Sequence, residues 1–94
     1  MTVEQVKTRC SDGRLGYFKY VRVGDEFRFS DAALGGLTHI ELQGSNAASG
    51  AGFLKIYPDG MFIEGHSSTL SMGSGPGDEK LLSELFGLPI KYRG

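Results

Sequence analysis

The residues best equipped for chemistry lie between Gly65 and Lys80, in the run GHSSTLSMGSGPGDEK. Gly65-His66-Ser67-Ser68-Thr69 approaches the G-x-S-x-G nucleophile elbow but places Thr69 where the last glycine must let a strand turn tightly into a helix. Neighbours on a strand point to opposite faces, so His66 is badly placed to act as base for Ser67. A hydrolase sheet of that kind also needs several times more chain. The stretch therefore reads as a hydroxyl-rich strand end.

Gly73-Ser74-Gly75-Pro76-Gly77-Asp78 raises a second possibility, since glycines before a helix can cradle an anion on exposed N–H groups. Both the P-loop and the dinucleotide fingerprint would require glycine at Asp78. Asp78 and Glu79 fall in the first helical turn, where they already occupy the favourable potential and repel a phosphate. The loop reads as a helix start. His66, Ser67, Ser68 and Ser74 are kept as candidate ligand-binding residues at a pocket mouth, because loops on a rigid scaffold commonly carry sites.

Other combinations are weaker. His39, His66 and Cys10 are too scattered for a metal-binding spacing, so no metal site and no cofactor is expected. Apart from Arg9, nothing beside Cys10 would lower its pKa. The run RLGYFKYVRV interleaves Arg14, Lys19 and Arg22 with aromatics in the manner of a nucleic-acid-binding strand, but Leu15 interrupts the Lys/Arg-Gly junction that such a strand needs.

These residues must be positioned by a small scaffold. At 94 residues with 39% hydrophobic and 22% charged content, the chain reads as one globular domain spanning residues 1–94. The net charge is −1, with six Lys/Arg against four Asp/Glu up to residue 30 and four against seven thereafter. Neither part carries an electrostatic footprint for nucleic acid. A single cysteine excludes an intrachain disulfide framework, and no apolar run reaches the roughly 20 residues of a transmembrane helix. MTVEQVKTRC lacks the apolar core of a signal peptide, which leads to the expectation of a cytoplasmic protein.

Tyr17 to Phe29 reads as a hairpin turning at Gly24-Asp25, with Arg22 opposite Phe27 and Tyr20 opposite Phe29. Phe18, Tyr20, Phe27 and Phe29 then share a core face, and Tyr17, Lys19, Val21, Val23, Glu26 and Arg28 a mostly wet one. Phe53 to Gly65 reads as a second hairpin around Tyr57-Pro58-Asp59-Gly60. Pairing Tyr57 with Met61 puts Phe53, Lys55, Tyr57, Met61 and Ile63 on one face and Leu54, Ile56, Phe62 and Glu64 on the other. Leu37 to Gln43 alternates as a half-buried strand, and Val3 to Arg9 fits a strand or a helical turn, with the strand preferred. DEKLLSELFG reads as a helix of about residues 76–86, with Gly75-Pro76 at its Ncap and N1 positions.

The expected fold is α+β: an antiparallel sheet of about five strands, built from hairpins 17–29 and 53–65, with one C-terminal helix packed on one face. If that helix covers Leu54, Ile56 and Phe62, then Phe53, Lys55, Tyr57, Met61 and Ile63 need another cover and are the candidate interface. A small non-catalytic interaction module, paired with itself as a homodimer or with another protein, is the expected function. The alternatives are a small-ligand-binding protein, with its pocket between sheet and helix, and a single-stranded nucleic-acid binder using strand 14–22. An enzyme is not expected, because no acid, base and nucleophile can be placed together.

Overall fold

Hydrophobic alternation in two hairpins organises the protein into a four-stranded antiparallel sheet with helices on both faces. The structure, a computed structural model, describes residues 1–10, 15–32, 36–64, 66–67, 72–73, 75 and 77–91. Strands β1 (Gly16–Val23), β2 (Glu26–Asp31), β3 (Gly50–Tyr57) and β4 (Gly60–Glu64) are ordered β2-β1-β3-β4. A separate ribbon pairs β5 (His66–Ser67) with β6 (Met72–Gly73). Thus four strands form the main sheet, against the five expected.

The first hairpin has the expected register, with Arg22 opposite Phe27 and Tyr20 opposite Phe29. Gly24 adopts φ 61°, which its missing Cβ permits at a two-residue turn. The second hairpin differs by one residue: Tyr57 pairs with Gly60 and Ile56 with Met61. Pro58 and Asp59 alone make the loop. Because side chains alternate, this slip moves all of β4 to the opposite face from that expected.

Helix α1 (Val3–Arg9) forms where a strand is expected. Thr2 accepts from the Gln5 N–H while the Gln5 side chain accepts from the Thr2 N–H, a reciprocal cap that satisfies two otherwise orphaned donors. Leu37 to Gln43 is likewise no strand: His39–Gln43 forms the single-turn helix α2, capped in the same way by Thr38 and Glu41. Its inward residues, His39 and Leu42, are three apart, whereas Ile40 between them is 50% exposed.

Helix α3 (Asp78–Phe86) begins two residues later than expected, with Gly77 as its N-cap at φ 81° and Gly87 as its C-cap at φ 66°. Helices α1 and α3 cover one sheet face, where Val6 and Leu82 join Phe18, Tyr20, Phe27, Phe29, Leu54, Ile56 and Met61 in the core. Each such side chain contributes about 1.5–3 kcal/mol by leaving water. On the other face α2 covers Val21 and Ala51 through Leu42. Beyond α3, the tail runs along the outer edge of β4. The Met61 N–H donates to Pro89 and the Lys91 N–H donates to Met61. No helix among the described residues is long and apolar enough to cross a membrane.

Candidate functional site

The sheet face that α2 leaves open carries the most suggestive arrangement of side chains. Antiparallel register places Tyr17 opposite Lys55, Lys19 opposite Phe53, Phe53 opposite Glu64, and Lys55 opposite Phe62. Directly opposed and diagonal residues on one face lie within reach of each other, and here they are aromatic and charged. The Tyr17 and Phe53 rings stack with centroids 5.8 Å apart, and the Phe62 ring meets Tyr57 edge to face at 5.5 Å. Lys55 Nζ lies 5.2 Å from the centre of the Tyr17 ring and 2.7 Å from a Glu64 carboxylate oxygen. None of these four rings is fully buried, and Tyr17 is 39% exposed.

His39 forms one border of this patch. Its Nε2 lies 2.8 Å from the Gly52 carbonyl, and its ring meets Phe53 edge to face at 5.1 Å. As the Nε2–H tautomer it donates to that carbonyl and anchors α2 to β3. Glu41 sits beside it on α2, its carboxyl held below the ordinary range chiefly by the hydrogen bond from the Thr38 N–H, with a smaller contribution from the charge of Lys19. Lys55 thus has its charge matched by Glu64 on the neighbouring strand.

The candidate interface residues divide accordingly. Phe53, Lys55 and Tyr57 lie on the open face. Met61 is fully buried on the opposite face, and Ile63 packs against the same core, because the hairpin loop is one residue shorter at the Gly60 end. Phe62 and Glu64 take their places. Tyr17 joins from β1, a residue whose alternation with Phe18 and Tyr20 already excludes it from the core. Among the candidate ligand residues, His66 and Ser67 form β5, but their side chains, like Ser68 and Ser74 altogether, lie outside the described residues.

The glycine loop before α3 resolves differently. Asp78 is completely buried and its carboxylate accepts from three donors: Tyr20 Oη at 3.0 Å, Arg22 Nη1 at 3.0 Å and the Gly75 N–H at 2.8 Å. This is an anion hole at a helix start, filled by the protein's own carboxylate. Glycine is required around it, because a Cβ on Gly50 would collide with Asp78 and Gly75, and one on Gly75 with the Ser49 carbonyl. Every buried side-chain nitrogen and oxygen among the described residues has a partner. No three His, Cys, Asp or Glu side chains among them converge as a metal-binding group.

The space between the sheet and α3 is packed with Leu54, Ile56, Met61 and Leu82. Grooves lie at the surface, one of about 700 Å³ along α3 past Gly75, Lys80, Ser83 and Ile90. Another of about 440 Å³ opens at the end of the aromatic face, between Leu15, Tyr17, Lys55 and Tyr57. No protein-family model, curated protein or solved structure matches the chain.

Proposed function

We propose that the protein is a small non-catalytic interaction module that pairs with a second copy of itself through the open face of β1, β3 and β4. The observation that carries this reading is an aromatic patch with an internally paired charge: Tyr17, Phe53, Tyr57 and Phe62 surround Lys55, which is matched by Glu64. A nucleic-acid platform needs uncompensated cations beside its rings. A twofold interface instead favours a surface bearing both signs, since Lys55 of one copy can meet Glu64 of the other. The aromatics first suggested for nucleic acid, Phe18 and Tyr20, are core residues here, which further weakens that alternative.

The sheet edges favour the same mode. The outer edge of β4 is bonded to Pro89 and Lys91, and on the β2 edge Phe29 exchanges both backbone hydrogen bonds with Met1. Pairing by strand addition is thus hindered, and a face is left. A standard interface takes about 800 Å² from each partner, against a total surface of 5265 Å². Four half-covered rings fall short of that, so the expected dimer is weak and depends on concentration.

Light scattering after size exclusion, over a series of increasing concentrations, tests the reading. The mass should rise from 10.1 kDa towards twice that value, and Phe53→Ser or Tyr57→Ser should abolish the rise without lowering the urea midpoint appreciably. A monomer at every concentration refutes it. A small-ligand reading is favoured by one observation, the groove beside Leu15, Tyr17, Lys55 and Tyr57, which has aromatic walls with the charged groups of Arg9, Asp31 and Lys55 at its lining. A thermal-shift screen with metabolites and nucleotides addresses it, and no shift counts against it.

A further inference from the structure

The hairpin that sets Tyr57 opposite Gly60 closes through Pro58 and Asp59, so an exposed aspartate is followed directly by glycine. That pair of residues is chemically vulnerable. The backbone nitrogen of the second residue can attack the side-chain carboxyl carbon of the first, and glycine has no Cβ to obstruct the approach. The Asp59 side chain is 72% exposed, so packing does not hold it away from its neighbour.

One side chain bears on both reacting groups. Lys91 Nζ donates to the Asp59 carboxylate, and the Lys91 stem lies over Gly60, where a Cβ on the glycine would meet Cε, Cγ and Cδ of the lysine at 2.8 to 3.0 Å. Backbone pairing fixes the lysine there, since its N–H donates to the Met61 carbonyl at 2.8 Å and the Met61 N–H donates to the Pro89 carbonyl at 2.9 Å. The ion pair sets the direction of the carboxyl group, so a swing of Cγ onto the Gly60 nitrogen must compete with it. The bond to Lys91 also holds the Asp59 carboxyl below its ordinary range and keeps it ionised. An ionised carboxylate is the poorer electrophile, because it has no hydroxyl to lose as water.

We propose that the Asp59-Gly60 bond is a site of spontaneous isoaspartate formation and that Lys91 is its guard. The Gly60 nitrogen forms a bond to Asp59 Cγ, its proton and the carboxyl hydroxyl leave as water, and a cyclic succinimide results. Water then adds to the Asp59 α-carbonyl carbon, whose bond to the Gly60 nitrogen breaks, so the chain continues through Cγ and the α-carboxylate is left free. The water lost on closure is regained on opening, and composition is unchanged. The main chain thereby gains a methylene within the shortest loop of the sheet. Pairing of Tyr57 with Gly60 depends on that length, so isomerisation strikes the register that puts Met61 in the core and Phe62 on the open face. The proposal does not depend on self-pairing, because it concerns the chain's own covalent structure.

Incubation of the full chain at physiological temperature and neutral pH, followed by tryptic digestion and electron-transfer mass spectrometry of the Asp59 peptide, measures the isoaspartyl fraction over time. Lys91→Met keeps a stem over Gly60 but removes the cation, and should accumulate isoaspartate at Asp59 at least about threefold faster than the wild type, the scale of an exposed ion pair. Lys91→Arg keeps the cation and should stay close to the wild type. Added salt screens the pair in the unmodified protein and should accelerate Asp59 in the same direction, an arm that needs no variant to fold. The chain's other Asp-Gly bond, Asp12-Gly13, is the reference within each sample, and its rate should be alike in all three proteins. Equal acceleration at both bonds would mean a general loosening of the fold, which overturns the role of Lys91. So does an unchanged rate at Asp59 in Lys91→Met or in salt, or an equal acceleration in Lys91→Arg. Absence of isoaspartate at Asp59 from all three proteins overturns the site itself.

Discussion

Replacing Asp78 by alanine tests how the helix is held to the sheet. The carboxylate is fully buried and receives Tyr20, Arg22 and the Gly75 N–H. Removing one partner of a buried ion pair costs about 3–5 kcal/mol, and an orphaned buried hydroxyl alone costs about 1–3 kcal/mol. Arg22 is 16% exposed and keeps its bond to the Gly24 carbonyl, so its charge is not left wholly stranded. The lower end of the range applies, about 3 kcal/mol. With a urea slope of about 1.5 kcal/mol/M, the unfolding midpoint should fall by about 2 M. Far-UV circular dichroism in urea measures this directly. Combining Asp78→Leu with Arg22→Met should cost clearly less than the sum of the two single changes, since neither charge is then left behind. A loss below about 1 kcal/mol for Asp78→Ala, or strict additivity in the pair, would refute a coupled buried network.

Three further outcomes follow from the same geometry. Gly50→Ala should destabilise by about 1–3 kcal/mol in urea although it adds only a methyl group, because the new Cβ strikes Asp78 and Gly75. The carboxyls of Glu41 and Asp59 lie below their ordinary values of 4.5 and 3.8, Glu41 through its cap on Thr38 and Asp59 through its bond to Lys91. A depressed folded value means that the stabilisation is complete above the ordinary value and is lost as pH falls through the folded one. The melting temperature should therefore hold from neutral pH down to the ordinary carboxylate range and decline below it, and Glu41→Gln with Asp59→Asn should make that decline shallower. The same substitutions at neutral pH should reduce amide-exchange protection in α2 and at Lys91 while leaving β1 and β3 unchanged.

What the sequence disclosed about the fold depended on how tightly local chemistry fixed each choice. Gly24-Asp25 permits one short loop, so alternation places Phe18, Tyr20, Phe27 and Phe29 on the core face as found, whereas Val21, expected on a mostly wet face, is fully buried beneath α2. Tyr-Pro-Asp-Gly marked a turn equally well but left open which residues close it, and one residue of uncertainty reversed Met61 and Phe62. The capping pairs Thr2/Gln5 and Thr38/Glu41 were visible signals for both missed helices. They were outweighed by alternation in LTHIELQ, a window in which the helical spacing of His39 and Leu42 cannot be separated from strand spacing. In helices this short, tertiary packing decides and propensity does not.

The site was legible to the same degree. Phe53, Lys55 and Tyr57 follow from alternation alone, but Tyr17 and Phe62 required knowing that β1 lies beside β3 and how β4 is registered, both of which are long-range facts. The anion loop is more instructive. Its glycines and helix start do form a site for a negative charge, and the sequence already placed Asp78 in that potential. What spacing could not show was that Tyr20 and Arg22, more than fifty positions away, would aim at the same point. Once they do, Asp78 takes the hydroxyl, the guanidinium and the Gly75 N–H together, and these three donors are closed to an external anion. Glycine at 50 and 75 then answers to backbone approach around that carboxylate, and recognition is left to the surfaces the network leaves exposed.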